Sequence, residues 1–178
     1  LAQAVLNNAS NYFLNFTGTG MLGVYNVTWR ANDSRGNAAT AVDNFTVTDV
    51  RRPNAIILNP ANGTSFNQSA TINITVNVTD NVNVSVVLAN ITFPNSTVKT
   101  FSMTSIGSDR YQLNFTETSQ INQYTIRIFA NDTSNNINNT EFVSNITIND
   151  TTAPVITPQN CRPDPANISQ TVTCNATM

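Results

Sequence analysis

The chain has 178 residues, about 40% of them apolar but only 10% charged, with a formal net charge of −2, one Lys and no His. The absent imidazole removes any His-based base, triad or metal ligand. No basic patch exists for nucleic acid, and no apolar run approaches the ~18 residues that span a bilayer. Ordinary soluble domains carry roughly 25% charge, so something else must keep this neutral surface soluble.

The first segment, "NYFLNFTGTGMLGVYNVTWRANDS" at 11–34, reads as strands with a polar break. Tyr25, Val27, Trp29 and Ala31 alternate with polar residues, which predicts one dry face. Tyr12 and Phe16 fall on one core-facing side. "ANDSRGN" (31–37) is a turn, with Gly36 suited to positive φ. "NFTVTD" (44–49) closes the segment before the basic pair Arg51-Arg52, which reads as a solvated linker.

Seven strands are predicted next, near 54–59, 69–79, 83–93, 97–105, 110–117, 122–131 and 139–149. "TINITVNVTD" (71–80) is the plainest: Ile72, Ile74, Val76 and Val78 on one face, Asn and Thr between them. Asn62-Gly63 marks the first turn. Tyr111, Leu113 and Phe115 form one inward set; Tyr124, Ile126, Ile128 and Ala130 form another. "ANDTSNN" (130–136) is the second copy of the 31–37 turn, with Asn135 in place of Gly36. No helical period occurs.

The copies are in register. Residues 11–34 and 110–133 match at an offset of 99, sharing Tyr12/Tyr111, Leu14/Leu113, Asn15/Asn114, Phe16/Phe115, Tyr25/Tyr124 and the "AND" turn. "NFTVTD" matches "NITIND" (145–150), and "SATINITVNV" (69–78) parallels "SQTVTCNATM" (169–178). A period near 100 residues is one sandwich domain, far longer than a solenoid repeat. The expected organisation is the C-terminal half of one domain at 1–50, a complete domain at 51–151, and the first strands of another at 152–178. The chain starts at Leu1 with no visible leader, so it reads as a mature product or as an excerpt of a longer array. Polymerisation by lending strands between chains is the weaker alternative, because residues 79–99 would have no counterpart.

Asn is a poor strand former, and its abundance on the wet faces needs a cause. Asn-x-Ser/Thr accepts N-linked glycans when x is not Pro. With 30 Asn, 13 Ser and 26 Thr, a shuffled chain would hold about 6.6 such sequons. This one holds nineteen: Asn8, Asn15, Asn26, Asn32, Asn44, Asn62, Asn67, Asn73, Asn77, Asn83, Asn90, Asn95, Asn114, Asn131, Asn138, Asn145, Asn149, Asn167 and Asn175. Alternation on Asn- and Thr-rich faces makes some of these by accident, but a threefold excess exceeds that effect. Dense glycosylation would also supply the missing hydration and blunt strand edges, the task Lys usually performs.

"VTDNVNVSVV", the "Y-x-V/I-x-x-x-A-N-D-S/T" strand and turn, and the "DTTAPVI" joint resemble the immunoglobulin-like repeats of archaeal and bacterial cell-surface proteins. The sequon density is similar to that of archaeal surface-layer and filament glycoproteins. The resemblance implies an all-β chain of tandem immunoglobulin-like β-sandwiches and an extracellular location. It also places Tyr25 and Tyr124 at the tyrosine corner, early in the penultimate strand. Val27 and Ile126 stand where antibody domains carry a Cys, so that inter-sheet disulfide is absent.

Cys161 and Cys174 are the only cysteines. In an oxidising setting a local disulfide leads, ahead of free thiols or inter-chain pairing. Glu117 and Glu141 are the only glutamates and lie on different predicted strands; Glu117 could pair with a nearby Asp, but a solvated face is the leading reading. Asp80, Asp132 and Asp150 lie in turns or joints. They read first as ordinary turn residues, with an inter-domain calcium ion kept as an option and no other cofactor expected.

The role that follows is structural: a rod of packed sandwiches in an extracellular filament, stalk or surface layer, joined by the short linkers Arg51–Pro53 and Thr151–Pro154. Its partners would be identical chains or neighbouring repeats, with no nucleic acid. No enzymatic activity is expected. An adhesin or glycan-binding module, and an accessory segment of a larger surface enzyme, are the rivals.

Overall fold

The computed structural model describes residues 5–8, 11–162 and 164–177. Among these there is no helix, and sixteen strands run in order. The first four are β1 (Val5–Asn8), β2 (Asn11–Phe13), β3 (Gly23–Asn32) and β4 (Ala38–Val47). Then come β5 (Asn54–Asn59), β6 (Ser65–Asn67), β7 (Ile72–Thr79), β8 (Val84–Thr92), β9 (Val98–Ser102) and β10 (Thr104–Gly107). The last six are β11 (Arg110–Phe115), β12 (Asn122–Asp132), β13 (Ile137–Asn138), β14 (Phe142–Asn149), β15 (Thr157–Arg162) and β16 (Thr173–Thr177).

Strands β5 to β14 make the sandwich. One sheet runs β10-β11-β7-β5 and the other β6-β14-β12-β8-β9, with β13 beside β12. These correspond to the DEBA and GFC orders of the immunoglobulin fold. All contacts in both sheets are antiparallel except β6, which pairs parallel with β14 through Ser65–Thr147, Phe66–Ile148 and Asn67–Asn149.

The core follows the period-two pattern. Ile72, Ile74, Val76 and Val78 of β7 are buried against Val87, Ala89 and Ile91 of β8 and the inward set of β12. Each fully buried branched side chain contributes about 1.5–3 kcal/mol relative to exposure. Phe93, Phe115 and Tyr124 close one end, with ring centroids 5.3–6.1 Å apart in tilted or edge-on pairs. Such geometry suits the ring quadrupoles.

The predicted strand at 97–105 is two strands. Its chain leaves one sheet as β9 and enters the other as β10. Met103 is the pivot, buried in the core and donating its N–H to Val87 O at 3.0 Å. The residue that changes sheets points inward, and its amide remains satisfied, so the crossing leaves no orphan donor.

The tyrosine corner is present twice. Tyr124 Oη donates to Gln120 O at 3.0 Å, and Tyr25 Oη donates to Met21 O at 2.9 Å, each four residues upstream. Gly36 and Asn135 both take positive φ, at 87° and 66°, in their matching turns.

In the first segment the inward assignment does not hold. Strands β3 and β4 form a two-stranded sheet on which no second sheet packs among the described residues. Tyr25 and Val27 are half-buried, Trp29 is 39% exposed, and Ala31, Tyr12 and Phe16 are exposed. The pattern is the same as in β12; the burial is missing because an opposing sheet is missing.

The two glutamates differ in placement. Glu141 is half-buried and its Oε1 accepts the Ile57 N–H at 2.9 Å, tying β5 to the strand-edge loop before β14. Glu117 pairs with Lys99 at 2.5 Å on the surface.

Candidate functional site

Two sets of residues are candidates for function: the sequons and a carboxylate cluster at the first joint. Alternation dictates the placement of the sequon asparagines. In "NIT" and "NVT" the apolar middle residue takes the core and the Asn takes the outer face. Asn15, Asn26, Asn32, Asn44, Asn62, Asn67, Asn83, Asn95, Asn114, Asn145, Asn149, Asn167 and Asn175 are exposed. Asn73, Asn77, Asn90, Asn131 and Asn138 are half-buried. Asn8 lies on β1, and the burial of its side chain lies outside the described residues.

The half-buried five are engaged. Asn73 Nδ2 donates to Asn114 Oδ1 at 2.8 Å, Asn77 Nδ2 to Asp109 O at 3.2 Å, and Asn138 Nδ2 to Pro53 O at 2.8 Å. Asn131 Nδ2 reaches Asn135 Oδ1 at 3.4 Å, and Asn90 Oδ1 accepts Thr100 Oγ1–H at 2.7 Å. Nδ2 is the atom a glycan would take. Asn90 and Asn95 are bonded through the oxygen rather than through Nδ2; Asn95 Oδ1 accepts both the N–H and the hydroxyl of Thr97, at 3.1 and 2.7 Å.

The cluster is Asp49, Asp80 and Asp132. One carboxylate oxygen from each lies within 4.8 Å of the others. Asp49 follows β4 in the joint, Asp80 follows β7, and Asp132 ends β12. Asp49 is 8% exposed and Asp132 is 1% exposed. Asp49 Oδ1 accepts the Arg51 N–H and Asn81 Nδ2–H, both at 3.0 Å. Asp80 Oδ2 accepts the Val82 N–H at 2.8 Å. Asp132 Oδ1 accepts the N–H groups of Ser134 and Asn136, each at 2.8 Å, and Oδ2 accepts Asn136 Nδ2–H at 2.7 Å. Burial pushes the Asp132 carboxyl up, but these donors outweigh it and hold it below the ordinary carboxylate value. Asp49 Oδ2 and Asp80 Oδ1 are buried with no partner.

Sequence reasoning named Asp80 and Asp132 and missed Asp49. The repeat carried the signal, because Asp49 and Asp150 are the same position of "TVTD" and "TIND". Asp150, which the sequence reading grouped with the other two, is exposed at the second joint and is not part of this cluster.

Cys161 and Cys174 stand opposite each other in the β15–β16 ladder and are joined as a disulfide. No helix among the described residues is long and apolar enough to cross a membrane.

Residues 53–128 match the family description "Bacterial Ig domain". The chain is all-β, and its complete sandwich, β5 to β14, is immunoglobulin-like. No curated protein matches the sequence. Among solved structures, the fibronectin(III)-like modules of Clostridium thermocellum CbhA are similar at 17% identity, over 72% of this chain and 64% of that one, with a TM-score of 0.47. A tetra-tandem repeat in the extending region of a large adhesion protein is similar at 20% identity, over 72% of this chain and 32% of that one, with a TM-score of 0.45. The chain spans less than two thirds of either structure.

Proposed function

We propose that these repeats form part of a heavily N-glycosylated structural rod in an extracellular filament, stalk or surface layer, of the kind found on archaeal cells. The observation that carries this reading is the sequon excess together with its placement. Nineteen sequons occur where composition alone gives about 6.6, and none of those whose side chains are described is fully buried. Glycans on these outer faces would leave the core of β7, β8 and β12 untouched. They would supply the hydration that a surface with 10% charge lacks.

The mechanism is mechanical and steric. Each sandwich is a stiff unit, and Pro53 of the short linker is buried against its own domain. Sugars would sheath the rod and shield its edges from pairing and proteolysis.

The partly exposed aromatic group Phe16, Tyr25, Trp29 and Phe45 does not favour the adhesin reading. Its members are the repeat counterparts of Phe115, Tyr124, Ile128 and Ile146, all buried in the complete sandwich. They are core residues by position. The deciding experiment is the intact mass of the chain from its native source, before and after removal of sugar. A loss of many glycan masses supports the sheath, and an unmodified polypeptide mass removes it.

A further inference from the structure

We infer that the joint between the first segment and the complete sandwich binds a divalent cation of the calcium type, held by Asp49, Asp80 and Asp132. The inference stands independently of the glycan reading. The first observation is the convergence of three carboxylates to within 4.8 Å. Oxygens on opposite sides of one Ca²⁺, each bonded at about 2.3–2.6 Å, are separated by about 5 Å at most. The three oxygens can therefore share one ion.

The second observation is independent of the first. Asp49 is more than nine-tenths buried, and its Oδ2 has no partner. Asp80 Oδ1 is orphaned in the same way. The other oxygens of these two side chains are held by Arg51 N–H, Asn81 Nδ2–H and Val82 N–H. These bonds fix the carboxylates and leave one lone oxygen on each. A buried unpartnered carboxylate oxygen is costly unless a cation compensates it. No protein cation does so: among the described residues the ion pair found is Lys99 with Glu117, on another face. Arg51 and Arg52 are exposed and form no ion pair with Asp49.

The donor chemistry selects the ion. The chain has no His, and its two Cys are joined as a disulfide, so soft and nitrogen-seeking metals find no suitable ligand here. All-oxygen donors from two loops and the end of a strand suit Ca²⁺, which accepts six to eight ligands in flexible geometry. Mg²⁺ demands near-ideal octahedral geometry and sheds water reluctantly. Water and carbonyl oxygens would complete the shell.

The placement gives the consequence. Asp49 follows the last strand of one repeat, while Asp80 follows β7 and Asp132 ends β12 in the next. One ion would tie them together and fix the angle of the joint. The arrangement is also periodic. Asp150 Oδ1 accepts the Thr152 N–H at 2.9 Å, as Asp49 accepts that of Arg51. Asp33 holds Arg35, Gly36 and Asn37 in the turn that Asp132 holds in the next copy. Among the described residues only the first joint brings three carboxylates together, so one ion is expected in this chain.

The test is calcium titration of the full 178-residue chain by calorimetry, with Tb³⁺ luminescence as a second probe and trypsin cleavage at Arg51 as a readout of the joint. The wild type is expected to bind one Ca²⁺, to prefer it to Mg²⁺, and to be cut several-fold more slowly when loaded. Asp49→Asn lies outside the sandwich core, so it should fold normally and bind at least tenfold more weakly. Asp80→Asn should behave alike, and Asp109→Asn, an exposed acid outside the cluster, should bind as wild type. Folded wild type that takes up no Ca²⁺ at millimolar concentration overturns the inference. So does equal binding by wild type and Asp49→Asn.

Discussion

Asn73 and Asn114, both sequon asparagines, sit directly opposite each other across the β7–β11 ladder, with the Asn73 amide donating to Asn114 Oδ1 at 2.8 Å. Directly opposed side chains on one sheet face have Cβ atoms about 4.5–5.5 Å apart. Two branched sugars cannot start that close together without splaying the strands. Asn26 and Asn44 are opposed in the same way across β3–β4, and Asn67 and Asn149 across β6–β14. Spacing along β7 allows a sugar on both Asn73 and Asn77, but spacing across the sheet does not favour both members of a pair.

The first prediction is therefore mutual exclusion. Each of the three pairs should carry one glycan per molecule far more often than two. Asn73→Gln should raise occupancy at Asn114, measured by quantitative glycopeptide mapping of the two proteins. Independent occupancy of both partners would contradict it.

The tyrosine corner gives a second prediction. Tyr124 is buried, and its hydroxyl donates to Gln120 O. Tyr124→Phe removes one bond and leaves that carbonyl short of a partner, a loss of about 1 kcal/mol. Denaturant unfolding of the two chains measures it.

The same residue sets a pH dependence. Desolvation raises the Tyr124 phenol above its ordinary value, and the Glu117 charge adds to it, against the hydrogen bond to Gln120. A phenol whose folded pKa is raised contributes stability that is complete below the unfolded value of about 10. That stability is lost as pH rises through the folded value. The difference between wild-type and Tyr124→Phe ultraviolet titrations should show one phenol ionising above the ordinary range. Stability of the wild type should fall more steeply than that of the variant in the same window.

Glu141 gives a third prediction. Its Oε1 accepts the Ile57 N–H at 2.9 Å and links β5 to the loop before β14. Glu141→Ala strands a half-buried amide and should cost about 1–3 kcal/mol. Glu141→Gln keeps a carbonyl acceptor and should cost less than half of that. Equal losses in thermal or denaturant unfolding would show that the bond is not what holds β5.

Much of this was legible in the sequence because strand periodicity is a local signal. Ile72 through Val78, and Tyr124 through Ala130, announce their faces two residues at a time, and both sets are buried. Strand β6 was not legible. It has three residues, pairs in parallel, and is specified by its neighbour Thr147–Asn149 rather than by its own pattern. Nor was the break at Met103, since one inward Met fits a continuous strand as well as a crossing. The role of Glu141 was not legible because its partner amide is 84 residues away. The Asp49, Asp80 and Asp132 cluster has the same origin. Each residue is an ordinary turn Asp in its own neighbourhood, and only folding brings the three together.

Site-resolved glycopeptide mapping of the chain from its native source tests the central claim most directly. The account predicts glycans at most of the exposed sequon asparagines, spread over both sheets of the sandwich and over the β3–β4 hairpin. Unmodified asparagine throughout would contradict it, and the Asn- and Thr-rich strand faces would then need another cause.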